Sequence, residues 1–245
     1  MTIPKYNIKV QKYRRMRKMP NRNQPEENDF LQYVDIIKDF CADVSQRRIV
    51  ELFQVTDGKK IGTYIERECR KYLGERTGLT MEGSAALGKD LPLFNIDIKT
   101  TSAVQPQSSS PYRSIEEKIF GLPYNILLFI YRKEDKEGFA ELEILRCCYI
   151  PKELTGDYST TRLARELREK YLRKEIGVDE IIRRLEEKLG ITEVEDLNIT
   201  PGMVQRIIDN PPAPGVLTVS FALQWRLQYG RLKEAPFPEG VIVIL

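Results

Sequence analysis

Apolar side chains recur at every third or fourth position over residues 29–42, where Phe30, Leu31, Val34, Ile37, Phe40 and Cys41 share one helical face. Ser45 predicts the cap of a second short helix that carries Ile49, Val50, Leu52 and Phe53. Thr56-Asp57-Gly58 reads as a turn. A third helix is expected over 60–73, with Ile61, Tyr64, Ile65 and Tyr72 inward and Gly74 as its stop. Beyond Gly78 the texture changes to short β-prone pieces at 79–81, 91–94 and 96–101, with a glycine-bearing loop at 83–88 between the first two. Residues 102–113 are too polar and too rich in proline for regular structure. Ser114 opens a helix, with Glu117 three residues on as a capping box and Gly121 at its end. The nearly unbroken apolar run at 125–131 predicts a central strand buried on both faces. A charged turn at 132–138 leads to another strand at 139–150.

The second half turns helical over 159–190. Leu163, Leu167 and Tyr171 form one stripe, and Ile181, Ile182, Leu185 and Leu189 another. Thr200-Pro201 starts a further short helix, a capping residue followed by proline at the first helical position. Pro211, Pro212 and Pro214 mark a break. Strict alternation then runs from 219 to 229, with Val219, Phe221, Leu223, Trp225, Leu227 and Tyr229 against Ser220, Ala222, Gln224, Arg226 and Gln228, which predicts a strand with one polar face. Residues 241–245 suggest a last strand. The expected class is α/β, a mixed central sheet flanked by helices, with a helical lobe at about 159–210. Residues 1–28, polar and broken by Pro4, Pro20 and Pro25, read as a flexible arm ahead of a single domain at 29–245.

Charge sharpens that division. The net charge is +3, yet residues 1–25 hold eight basic side chains and no acid. The other 31 basic and 36 acidic side chains leave the remainder at −5. A mildly acidic globule with a basic arm points to a polyanionic partner. The chain also has no histidine. That excludes Ser-His-Asp and Cys-His machinery and any zinc site with a histidine ligand, so acid–base work must fall to Asp, Glu, Lys, Tyr or an activated water. Cys41, Cys69, Cys147 and Cys148 form no C-x-x-C pair and read as small buried hydrophobes. No apolar run approaches the roughly 20 residues of a membrane span, and no secretory h-region follows the N-terminus. The expectation is a reduced, cytoplasmic protein with no membrane association.

Candidate chemistry concentrates in Gly88-Lys89-Asp90-Leu91-Pro92-Leu93-Phe94-Asn95-Ile96-Asp97-Ile98-Lys99-Thr100-Thr101. On a strand Asp97 and Lys99 project from the same face, about 7 Å apart, while Ile96 and Ile98 face the other way. Asp90 comes beside Asp97 if residues 92–95 turn the chain back. Two hard oxygen ligands with open coordination positions suit Mg²⁺ held jointly by protein and phosphate.

Asp90 followed by Asp97-Ile98-Lys99 resembles the PD-(D/E)-x-K nuclease superfamily. The continuation through Thr100-Thr101, the polar 105–110 loop, the 114–121 helix and the 125–131 strand resembles type II restriction endonucleases. The order helix, three strands, helix, strand is expected over about 60–131, so the resemblance implies a restriction-endonuclease-like core. Lys89 stands where the motif has proline, and only six residues separate Asp90 from Asp97. Glu82 is the rival first carboxylate, and Glu66 on the preceding helix is a possible further acid. The resemblance implies a site-specific, Mg²⁺-dependent endonuclease that cuts double-stranded DNA and leaves 5′-phosphate and 3′-hydroxyl ends, with no nucleotide cofactor. Asp90 and Asp97 would hold the metal with the Ile98 carbonyl, and Lys99 would orient the attacking water. A repair or junction nuclease of the same fold and a non-catalytic DNA-binding protein are the alternatives.

Base reading needs side chains that make two hydrogen bonds to one base edge. Gln105, Gln107, Ser108 and Arg113 offer one such set, and Gln224, Arg226 and Gln228 a second. The arm, with Arg14, Arg15 and Arg17, is the candidate phosphate grip. A palindromic target would require two-fold symmetry, hence an expected homodimer.

Overall fold

A computed structural model describes residues 27–81, 89–104, 109–190, 198–215, 217–220, 224–227 and 237–245. The α/β architecture is as expected: a four-stranded mixed sheet flanked by helices. The chain divides into two compact units. One comprises residues 1–103, 127–147 and 243–245, and the other residues 104–126 and 148–242.

The first unit is built on the sheet, in strand order β1-β3-β4-β7. Here β1 is Ile96–Ser102, β3 Asn125–Lys136, β4 Phe139–Ile150 and β7 Ile242–Val243. Strand β3 is buried without interruption from Asn125 to Tyr131, the signature of a strand covered on both faces. It extends through the expected 132–138 turn to Lys136, and only Glu137 and Gly138, the latter at φ 81°, turn the hairpin. Helix α1 (Val34–Val44) follows a 3₁₀ segment and buries Ile37, Phe40, Cys41 and Val44. The ring of Phe40 meets Phe129 of β3 edge-on at 5.8 Å. All four cysteines are buried.

Several expectations in this unit need correction, among them the strand at 79–81, where the chain forms none. Ser45 starts no α-helix: its hydroxyl donates to the Cys41 carbonyl and accepts from the Ile144 amide, so it ends α1 and ties it to β4. Residues Val50–Leu52 form only a 3₁₀ turn. The helix expected over 60–73 instead runs as α2 from Gly58 to Thr77. Asp57 caps it by accepting from the Lys59 amide. Gly78, at φ 70°, ends it in place of Gly74.

The second unit is helical with a small sheet. Helices α3 (Ile115–Phe120), α4 (Tyr158–Leu172), α5 (Val178–Leu189) and α6 (Pro201–Asp209) enclose a core of Ile115, Ile119, Leu167, Ile181, Leu185 and Ile207 among others. The caps read from sequence hold: Ser114 accepts from the Glu117 amide and Thr200 from the Met203 amide. Glu117 completes its part differently, accepting from the Arg113 amide rather than that of Ser114. The helical stretch 159–190 is two helices, separated at residues 173–177.

The unit's sheet has the order β2-β6-β5, with β2 Ser109–Pro111, β5 Leu217–Ser220 and β6 Gln224–Leu227. The single strand expected at 219–229 is thus an antiparallel pair, with Val219 opposite Trp225. Part of the 102–113 segment, expected to be irregular, supplies the third strand. Among the described residues no helix is long and apolar enough to cross a membrane.

Candidate active site

The site lies in the first unit, at β1, which stands at one end of the sheet order. The strand expected at 91–94 is instead a 3₁₀ turn, Pro92–Phe94, because proline cannot donate to a ladder and Asn95 takes a left-handed conformation at φ 53°. This turn does what a hairpin would. Leu91 and Ile96 exchange both backbone hydrogen bonds, at 3.0 and 3.2 Å, so the chain folds back upon itself. Asp90 is thereby set against the start of β1, where its Oδ2 accepts from the Ile98 amide at 2.7 Å.

Asp97 and Lys99 share a face of β1, and Lys99 Nζ lies 2.7 Å from Asp97 Oδ2. Asp97 is buried, with 6% of its surface exposed. Burial pushes its carboxyl up to about 7; Lys99 opposes that shift, and the neighbouring Asp90 adds to it. In an extended strand a residue's N–H and C=O leave on one side. The Ile98 carbonyl therefore lies on the edge that Asp90 occupies.

Helix α2 brings a third acid. Glu66 lies beside Asp90, and burial followed by the charge of Asp90 raises its pKa, with the Arg70 guanidinium opposing. Arg70 pairs with Glu66 at 2.8 Å across one helical turn. The helix reaches this position because Gly62, one turn before Glu66, has no side chain. A Cβ there would come within 2.6 Å of Thr100 Oγ1 on β1.

Asp90, Asp97, Lys99 and Glu66 are therefore brought together. Glu82 lies outside the described residues. Among the described residues, no three His, Cys, Asp or Glu side chains converge on a point fit for a metal ion. The donor set still suits a hard divalent cation. Asp90 and Asp97 are adjacent carboxylates whose mutual repulsion a cation would relieve, and Mg²⁺ takes few protein ligands and completes its shell from water or phosphate. Sequence reasoning missed Arg70; its signal was the Glu66-to-Arg70 spacing of four on a helix.

Of the candidate DNA contacts, Arg113 is exposed just ahead of α3. Gln224 and Arg226 fall on β6, two residues apart and so on one face. Gln105, Gln107, Ser108 and Gln228, with Arg14, Arg15 and Arg17 of the arm, lie outside the described residues.

Comparison with known proteins follows the same direction. A family profile described as "Type II restriction enzyme NspV" matches residues 27–242. The type II restriction enzyme NspV of Nostoc sp. (strain ATCC 29411 / PCC 7524) is 42% identical over 197 residues, covering 79% of this chain and 86% of that protein. No solved structure matches.

Proposed function

The chain belongs to the NspV family of type II restriction enzymes, and from that premise we propose that it hydrolyses phosphodiester bonds of double-stranded DNA at a specific sequence, using the Asp90–Asp97–Lys99 edge of β1 as its active site. The pattern is that of the PD-(D/E)-x-K superfamily. One observation carries the reading: a buried carboxylate paired with a lysine at 2.7 Å, with a second carboxylate folded back onto the same strand. A surface ion pair has no reason to be buried or to have another acid pressed beside it.

Asp90 and Asp97 are the residues that would hold Mg²⁺, with the Ile98 carbonyl on the adjoining edge. When bound, Mg²⁺ supplies countercharge to the scissile phosphate and acidifies water. The protein's own groups do the rest. Lys99 keeps its ammonium at the β1 edge, where it orients the attacking water and stabilises charge developing on the phosphate. Asp97 holds that ammonium in place. Glu66, steadied by Arg70, adds negative charge beside Asp90 and favours a cation there. Attack of water on phosphorus in line with the 3′-oxygen forms one P–O bond and breaks P–O3′; the leaving oxygen takes a proton, giving a 3′-hydroxyl, and the phosphate stays on the 5′ side. We further propose a homodimer on a palindromic site, a phosphate grip by the basic arm, and action on foreign DNA in the cytoplasm.

The test is cleavage of a plasmid of known sequence by wild type, Asp97→Ala and Lys99→Ala, with Mg²⁺ and with a chelator. Discrete fragments from the wild type in Mg²⁺ alone, lost in both variants, are expected. Equal cleavage by all three would remove the site assignment, and sequencing the cut ends reads their chemistry directly.

A further inference from the structure

The two stretches expected to read bases are separate in sequence, yet they pair in one sheet. Strand β6 is the middle strand, with β2 on one side and β5 on the other. Arg226 lies opposite Ser109 of β2 and Thr218 of β5. Gln224 lies opposite Pro111 of β2 and Ser220 of β5. Directly opposed residues of an antiparallel sheet share a face. One face therefore carries Ser109, Pro111, Thr218, Ser220, Gln224 and Arg226. The other carries Leu217, Val219, Trp225 and Leu227, with Ser110. Pro111 fits because β2 is an edge strand.

We propose that the polar face of the β2-β6-β5 sheet reads base edges in the major groove of double-stranded DNA, with Arg226 and Gln224 as the principal base-contacting residues and Thr218, Ser220 and Ser109 flanking them. The proposal rests on the restriction-endonuclease reading above and names the specificity surface that reading requires. Three facts argue for it. Among the described residues, those on this face are one arginine, one glutamine, three hydroxyl residues and a proline, with no acidic residue. A phosphate-gripping surface would instead concentrate lysine and arginine. Arginine and glutamine are the two side chains whose planar ends match guanine and adenine edges in pairs of hydrogen bonds. The dimensions also agree. Residues 224 and 226 are about 7 Å apart, which matches about two base-pair steps of 3.4 Å.

The experiment compares wild type with Arg226→Ala, Arg226→Lys, Gln224→Ala and Thr218→Val. Binding is measured to the cleaved sequence and to random-sequence DNA, in a metal-free buffer over a range of salt. Sites cut from a randomised library are sequenced in parallel. Arg226→Ala and Arg226→Lys are expected to lose roughly 10- to 100-fold in specific affinity, and random-sequence binding far less. The lysine variant keeps the charge but loses the paired geometry. The cut-site profiles of the Arg226 and Gln224 variants should relax at different positions, about two base pairs apart. Equal loss on both DNAs with a shallower salt slope would make Arg226 a phosphate contact and overturn the proposal. Unchanged profiles in all four variants, from an enzyme that still cuts at defined sites, would overturn it while leaving the nuclease reading intact. A wild type that cuts at no defined site would fail that reading first. If Arg226→Ala does not fold, Arg226→Lys and Gln224→Ala carry the same test.

Discussion

The edge of β1 and the β2-β6-β5 sheet carry different kinds of residue, and the roles proposed for them differ accordingly. At β1 four ionisable groups meet in a partly buried space, and burial, with the nearby Asp90 carboxylate adding to it, raises the pKa values of Asp97 and Glu66. On the small sheet the polar row is nearly uncharged and alternates with apolar positions along short strands. Chemistry on a phosphate gains from desolvated charge, because fields are stronger where water is excluded. Reading a base gains from directional donors and acceptors, which mismatched bases leave unpaired. The two regions should therefore fail in different ways when altered.

The largest effect is expected at Lys99. Lys99→Ala should slow cleavage roughly 10²- to 10³-fold, in line with removal of one stabiliser of transition-state charge. The sequence preference of the residual cutting should not move. A changed preference would blur the division between the regions. Next come Glu66→Gln and Arg70→Ala, each expected to cost about tenfold in rate through displacement of groups in contact with the site. Mg²⁺ titration followed by protein melting should show weaker binding in Glu66→Gln, and unaltered binding would remove Glu66 from the site.

A third test concerns the charge at β1 without any DNA. The pKa of Asp97 rises from the ordinary carboxylate value of about 3.9 to about 7 on folding. Its stabilising contribution is fully present below the unfolded value and is lost as pH rises through about 7. Metal-free wild type should therefore melt progressively lower relative to Asp97→Asn as pH is raised from 4 to 8. A constant gap would mean that Asp97 is not desolvated. The smallest effect is expected at the margin of the β2-β6-β5 sheet. Thr218→Val should cost about threefold in specific affinity, the worth of one neutral hydrogen bond, and leave the Mg²⁺ dependence of melting as in the wild type.

Much of the fold was legible because it depends on local periodicity. The 125–131 run declared a doubly covered strand, and the stripes at 163–171 and 181–189 declared helices. The site's nucleus was legible for the same reason, since a period of two puts Asp97 and Lys99 on one face in any strand. The apolar run Leu91–Phe94 misled only in part: it is a 3₁₀ turn rather than a strand, but it still returns Asp90 to β1. Ser45 shows the limit more sharply. Its side chain suits a helix start or a helix end, and the contact with Ile144, 99 residues away, goes with the end.

The sequence by itself determined which side chains can share a face. Asp97 goes with Lys99 and Gln224 with Arg226, because alternation is a property of the extended backbone and needs no partner. Tertiary structure alone decided which faces meet. Glu66 joins Asp90 only because α2 packs closely enough over Gly62 to reach Thr100. Ser109 joins Arg226 only because strands more than a hundred residues apart pair in register. Such pairings are set by loop closure and packing across the whole chain, and no window of local pattern contains them.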